Sequence, residues 1–348
     1  MLKRVSDITL EEAYKDGYKA YKVPGMSQND AGTMFCFYEG REGLAENIGD
    51  KALFYRISKD GKAWSGRYTA ARGKEVHNIS LLGGLKDEVH LFWCNGYHSC
   101  FYKKSADGGV TWGAAVCLDS IFNEIKSQYP WNYFSISNGH GLVLESGRLL
   151  LTAWMSSGIG CHKPARLVSV YSDDNGESWR LGNILNSTHI LPDPTECSIA
   201  QLRGGTVLAT IRHSYEDHYR GFAMSRDKGI NWEGVHLETT VPDPICSAGL
   251  VGFLYKDKEY LVLSNCDYFN RSEVPLPDSR QNLTLWISEN RGNTWERAGR
   301  VAKLGGYSDL LYCEDQKALY CFYENEWKEN QCFSTMKLTI SEFRTGQE

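Results

Sequence analysis

The sequence has 348 residues, 42 % hydrophobic and 23 % charged, with a formal charge of −5 at neutral pH. That balance argues against a nucleic-acid groove, which needs clustered Lys and Arg to release counterions. No run approaches the ~20 apolar residues of a membrane-spanning helix, so no membrane contact is expected, while a small acidic ligand in a local cationic pocket stays compatible with the net charge.

Met1–Ala20 carries no apolar leader, which predicts a cytoplasmic protein. Helix has little support anywhere; the best stretch, Leu10–Asp16, spans about two turns before Gly17. Residues 1–20 are read as an extension packing on the rest. The eleven cysteines are scattered, and many sit in apolar runs, Cys36 in MFCFY and Cys321 in ALYCFY. They read as free, buried thiols, and Cys94, His98 and Cys100 do not complete a metal pattern.

One eight-residue pattern then recurs along the chain. After an eroded copy at Ser58–Trp64, it appears as Ser105-Ala-Asp107-Gly-Gly109-Val-Thr111-Trp112, then at Ser172–Trp179, Ser225–Trp232 and Ser288–Trp295. The last of these has Asn290 in place of Asp. The acid or amide oxygen is suited to capping backbone N–H groups two residues on, Gly to a positive φ, and Trp to anchoring the turn. Strand-like runs such as HSCFYKKS and YRGFAMS precede the copies, so each is placed in a hairpin turn. The spacing suits a four-stranded blade. Five such units and a closing one predict an all-β, six-bladed β-propeller of antiparallel blades, with 1–348 as one domain. Closure is expected to join an N-terminal strand to strands of the last unit.

The segments between these turns resemble the sialidase (neuraminidase) catalytic domain from Tyr21 to about Phe343, and the repeat is what that family calls the Asp box. Gly32-Thr-Met-Phe-Cys-Phe-Tyr-Glu39-Gly-Arg41 is similar to the family's first-blade segment, with Arg41 facing substrate. Gly139-His-Gly141-Leu and Gly147-Arg148-Leu resemble the mid-domain strand that lines the pocket. Thr195-Glu196-Cys197 resembles the segment whose Glu partners the nucleophile, and Gly306-Tyr307-Ser308-Asp309-Leu310 the nucleophile segment itself. Arg212 and Arg280 match the second and third members of a carboxylate-binding arginine triad, and Glu324 the acid that orients the first.

Two positions depart from the family pattern. Lys22, in Tyr21-Lys-Val-Pro24, stands where the first triad arginine is expected; it keeps the charge but lacks the planar fork. The acid/base Asp falls on Asn47, with Glu46 and Asp50 flanking it; Asp50 is preferred over Glu46 to take over. The resemblance implies an exo-acting hydrolase of sialylated or related acidic glycosides, retaining configuration without metal or organic cofactor.

The residue chemistry is consistent with that. A sugar bearing a carboxylate on its anomeric carbon repels an Asp or Glu nucleophile; neutral Tyr avoids the repulsion. Tyr is weakly nucleophilic near its free pKa of about 10, so an adjacent carboxylate must take its proton. Glu196 and Tyr307 would form that pair, outside the two-carboxylate scheme of most glycosidases. Two other readings stay open: a sugar-binding propeller that has lost its acid, and a hydrolase for another 2-keto-3-deoxy sugar acid.

Overall fold

The computed structural model describes residues 2–44, 49–214, 216–267, 280–327 and 335–345. Six antiparallel blades follow one another along the chain. Blade I comprises Ala20–Gln28, Met34–Arg41, Lys51–Ser58 and Tyr68–Gly73; blade II comprises Val76–Gly83, Val89–Asn95, Ser99–Ser105 and Val116–Cys117. Blade III is Tyr133–Ile136, Leu149–Ser156, Ala165–Ser172 and Arg180–Leu181, and blade IV is Cys197–Gln201, Val207–Ile211, Tyr219–Ser225 and Glu233–Pro242. Blade V runs Gly249–Tyr255, Lys258–Cys266 and Gln281–Ser288 into the long strand Glu296–Cys313. That strand then turns a corner between Gly305 and Ser308, and its second half opens blade VI with Ala318–Trp327 and Thr335–Thr345.

Closure is made by Leu2–Glu12, which pairs antiparallel with Thr335–Thr345 as the outermost strand of blade VI. Leu10 to Glu12, part of the stretch with the least weak helical pattern, end that strand. The pull is long-range: the buried Glu11 carboxylate accepts from Arg56 Nη2 at 2.6 Å, Arg67 Nε at 2.9 Å and the Tyr38 hydroxyl, all in blade I. A one-and-a-half-turn helix lies instead at Asp119–Glu124, burying Ile121 and Phe122.

The repeated turns join the third and fourth strands of blades I to V. In the blade II copy, Asp107 Oδ1 accepts from the N–H of Val110 at 3.1 Å and Thr111 at 2.8 Å, three and four residues on. Only the shortened copy caps as close as two residues on, at Lys62 N. The Thr111 hydroxyl donates to Asp107 Oδ2 at 2.6 Å, and with the backbone bonds it holds that carboxyl down to about 2. Gly109 sits at φ 81° with its N–H on Ser105 Oγ, a conformation a side chain would strain.

In blades II to V the tryptophan reaches back to the preceding blade, whereas Trp64 Nε1 of the shortened copy donates to Gly61 O of its own turn at 3.2 Å. Trp112 Nε1 donates to the Tyr55 hydroxyl of blade I at 2.8 Å, and Trp232 Nε1 to Ser169 Oγ of blade III at 3.0 Å. Trp179 packs edge-on to Phe92 of blade II, and Trp295 stacks on Phe222 of blade IV. The turns thus staple neighbouring sheets. The described buried apolar residues likewise fall into six clusters, each shared by two adjacent blades. The ten described cysteines are all free thiols, eight of them buried.

Candidate active site

A cavity of about 450 Å³ opens at one end of the axis, and all six blades contribute to its wall. Irregular register puts three of the contributors there. The ladder of blade I skips between Lys22 and Gly25, that of blade II between His77 and Ser80, and that of blade VI between Gly305 and Ser308. Such bulges re-aim side chains that a regular pleat would bury in the sheet. Val23 at φ 58° and Asn78 at φ 47° show the backbone cost; for β-branched Val23 the left-handed region is strained.

Glu196 directly precedes the first strand of blade IV, and Arg212 directly follows its second. Their backbones extend the ladder, Arg212 N donating to Glu196 O at 2.9 Å, so the two side chains face each other. Arg212 Nη1 lies 2.5 Å from Glu196 Oε2 and 2.6 Å from the Tyr307 hydroxyl. The Tyr307 hydroxyl donates to Glu196 Oε1 at 2.7 Å, and Asn138 Nδ2 donates to the same oxygen at 2.7 Å. Burial pushes the phenol's pKa up, with Glu196 adding to the rise while Arg212 and Arg280 oppose it. The phenol is therefore neutral at rest, and it can lose its proton only as negative charge is drawn off by a reacting partner.

Arg280, at the foot of the third strand of blade V, lies over the Tyr307 ring with 5.1 Å to the centroid. One of its nitrogens donates to Ile245 O at 3.0 Å. Lys22 Nζ lies 3.4 Å from Glu324 Oε2, and Glu324 also accepts from Val23 N at 3.1 Å and Tyr307 N at 3.3 Å. Arg41 lines the cavity as well, held by Glu39 Oε2 at 2.6 and 2.9 Å. Lys22, Arg41, Arg212 and Arg280 thus bring four cationic side chains to one depression, fit for an anion.

Asp50 is exposed and is not among the residues lining this cavity; its carbonyl accepts from Glu42 N. Glu46 and Asn47 lie outside the described residues. Leu44 lines the cavity. Sequence reasoning passed over Asn138, although it adjoins the Gly139-His140-Gly141 segment. It also passed over the ring cluster of Tyr97, Trp154 and His162, whose centroids lie 4.7 to 5.8 Å apart on the cavity wall. A neighbouring recess of about 190 Å³ shares Trp154, His162, Glu196 and Arg212 with it.

Burial pushes Lys22 down to about 8, with Arg41 and Arg280 pushing the same way against the pull of Glu324. Protonated below that value and neutral above it, Lys22 should grip an anionic ligand less well as pH rises through about 8. Affinity for a sugar carboxylate, followed by calorimetry from pH 6 to 9.5, is expected to decline along this limb. Lys22→Arg should remove the limb, because guanidinium stays charged throughout; a pH-independent wild type would show that Lys22 titration does not control binding in this range.

Comparison with known proteins follows the same lines. "Sialidase-3" of Mus musculus is 27 % identical over 291 residues, covering 71 % of this chain and 68 % of that protein. The "Sialidase" of Micromonospora viridifaciens is 24 % identical over 314 residues, covering 81 % of this chain but 46 % of its own length. The chain therefore spans about half of that relative. Among solved structures, "Hadza microbial sialidase Hz136" superposes with a TM-score of 0.75 at 19 % identity, over 97 % of this chain and 68 % of that one. A Dyadobacter fermentans protein of unknown function superposes at 0.71 and 14 % identity, over 99 % of both chains. These likenesses establish the six-bladed sialidase-type propeller fold. The profile described as "BNR repeat-like domain" matches residues 26–320, and the chain belongs to that family.

Proposed function

We propose that the protein is an exo-acting glycoside hydrolase that releases terminal sialic acid, or a related acidic nonulosonic sugar, with retention through a tyrosyl-enzyme intermediate. One observation carries the reading: the Tyr307 hydroxyl contacts both Glu196 Oε1 and Arg212 Nη1 inside a cavity that also presents Lys22 and Arg280. The relatives named sialidase support it.

In this mechanism Arg212, Arg280 and Lys22 hold the sugar carboxylate by charge-assisted hydrogen bonds, which sets the anomeric carbon over Tyr307 Oη. The bond from Oη to that carbon forms as the bond to the leaving oxygen breaks. Glu196 takes the phenolic proton, and an acid of the Glu46–Asp50 loop gives one to the leaving oxygen. Water then attacks the same carbon from the vacated side, its proton passing to the loop group. Glu196 returns its proton to Tyr307 as the aryl glycosidic bond opens. Arg41 and Glu324 keep the cationic wall in place.

Incubation with an aryl sialoside and with sialyl-lactose between pH 4 and 8, followed by proton NMR, tests this. Release of the sugar as its α anomer before mutarotation is the expected result, and no release from either substrate refutes it. The position of Asp50 outside the cavity wall favours one second reading, a sugar-acid-binding propeller without turnover. Calorimetric binding of free sialic acid without any hydrolysis would select that reading.

A further inference from the structure

Two residues beyond Tyr307 the same strand carries Asp309, which is fully buried on the propeller axis and lines no part of the cavity. Its carboxylate collects partners from three separated segments. Oδ2 accepts from Met26 N of blade I at 2.9 Å and from His140 N at 3.1 Å, and Oδ1 accepts from Leu310 N at 2.9 Å. His140 Nδ1 lies 3.0 Å from both oxygens. Gly139, at φ 87°, passes so close that a Cβ there would stand 3.3 Å from Oδ2. Its carbonyl in turn accepts from Ser80 Oγ of blade II at 2.7 Å.

The three pinned residues sit a short step from the site. Met26 follows Lys22 by four residues, His140 follows Asn138 by two, and Asp309 follows Tyr307 by two. Asn138 and Tyr307 are the two donors to Glu196 Oε1, and they come from segments far apart in sequence. An apolar plug would fill the axis without the desolvation cost of a buried carboxylate, so packing alone gives no reason for one. A carboxylate that accepts three backbone N–H groups and one imidazole fixes directions that apolar contacts leave loose.

We propose that Asp309 and His140 form a positioning pair, which locks the Asn138 and Tyr307 segments in the register that lets both donate to one oxygen of Glu196. This rests on the hydrolase reading above. Neither residue touches the reacting atoms; they act through Asn138 and Tyr307. Loosening the pair would slide one donor relative to the other and take the Tyr307 hydroxyl out of line with Glu196 Oε1, with the cationic wall unchanged.

Three substitutions in the full chain test it by geometry. In His140→Asn the amide nitrogen falls near the place of Nδ1; in His140→Gln it falls near Nε2, and His140→Ala offers no donor. His140→Asn is expected to keep kcat within about 3-fold of wild type. The Gln and Ala variants should lose ~10–100-fold in kcat, the size expected for a misplacement near 1 Å, with KM changed far less. A structural role alone would lower kcat only in step with the folded fraction by circular dichroism, with no difference between Asn and Gln beyond it. Asn and Gln variants that behave alike, with wild-type turnover intact, overturn the positioning role only. A wild-type chain that turns over no sialoside overturns the hydrolase reading and this one with it.

Discussion

Replacing Tyr307 by Phe is expected to lower kcat on an aryl sialoside by ~10³-fold or more, the scale at which losing a nucleophile is felt. The substitution removes one oxygen and little else. The ring keeps its place beneath Arg280 and Arg212, whose guanidinium carbons lie 5.1 and 5.9 Å from its centroid. Glu196 retains Arg212 on Oε2 and Asn138 on Oε1. Because Lys22, Arg212 and Arg280 are untouched, the dissociation constant for free sialic acid should stay within a few fold of wild type. Steady-state kinetics beside calorimetry separates the two effects. A kcat within 10-fold of wild type would remove Tyr307 from the covalent step, and parallel losses in kcat and binding would make it a binding residue instead.

Arg220→Met is expected to cost about 3–5 kcal/mol of stability, a large share of the 5–15 kcal/mol typical of folded proteins. Arg220 is wholly buried behind the cavity. Its guanidinium donates to Thr210 Oγ1 at 2.8 Å, Asp243 Oδ2 at 3.1 Å and Cys246 O at 2.6 Å. Asp243 Oδ1 in turn accepts from Cys246 N at 3.0 Å, closing a tight loop in which Ile245 takes φ 56°. The carbonyl of Ile245 is the one that seats Arg280. Methionine fills the volume but leaves the Asp243 carboxylate buried without its cation, and the Cys246 carbonyl without its donor. Urea denaturation should show the loss. Adding Asp243→Leu should recover part of it, since removing both charges costs less than stranding one. A loss under about 1 kcal/mol for Arg220→Met alone would mean that water reaches Asp243.

The architecture was legible because each Asp box is local. Within eight residues the chain states that a strand has ended, that a carboxylate caps the turn and that Trp returns to the sheet. What the spacing could not show is the target of that Trp, the preceding blade, since Tyr55 lies 57 residues from Trp112. The closing strand was expected near the N-terminus, but its end at Glu12 was not legible, because the deciding contacts of Glu11 are to Arg56 and Arg67, distant in sequence. The cavity residues were read by resemblance to a family, one motif at a time. Asn138 and the Asp309–His140 pair escaped that reading, because a hydrogen bond spanning 169 residues leaves no periodicity behind it. Register skips, which aim Lys22, Asn78 and Tyr307, are likewise invisible in composition.

The outermost strand of blade VI has a consequence for biosynthesis. Arg4 meets Ser341, its partner 337 residues further along, at 3.0 Å. At ~5–20 residues per second the nascent Leu2–Glu12 segment waits roughly 15–70 s on the ribosome for the strand that will receive it. During that wait it is a bare edge that any other chain could pair with. Its dense run of charges, Lys3, Arg4, Asp7, Glu11 and Glu12, discourages such a partner until its own arrives.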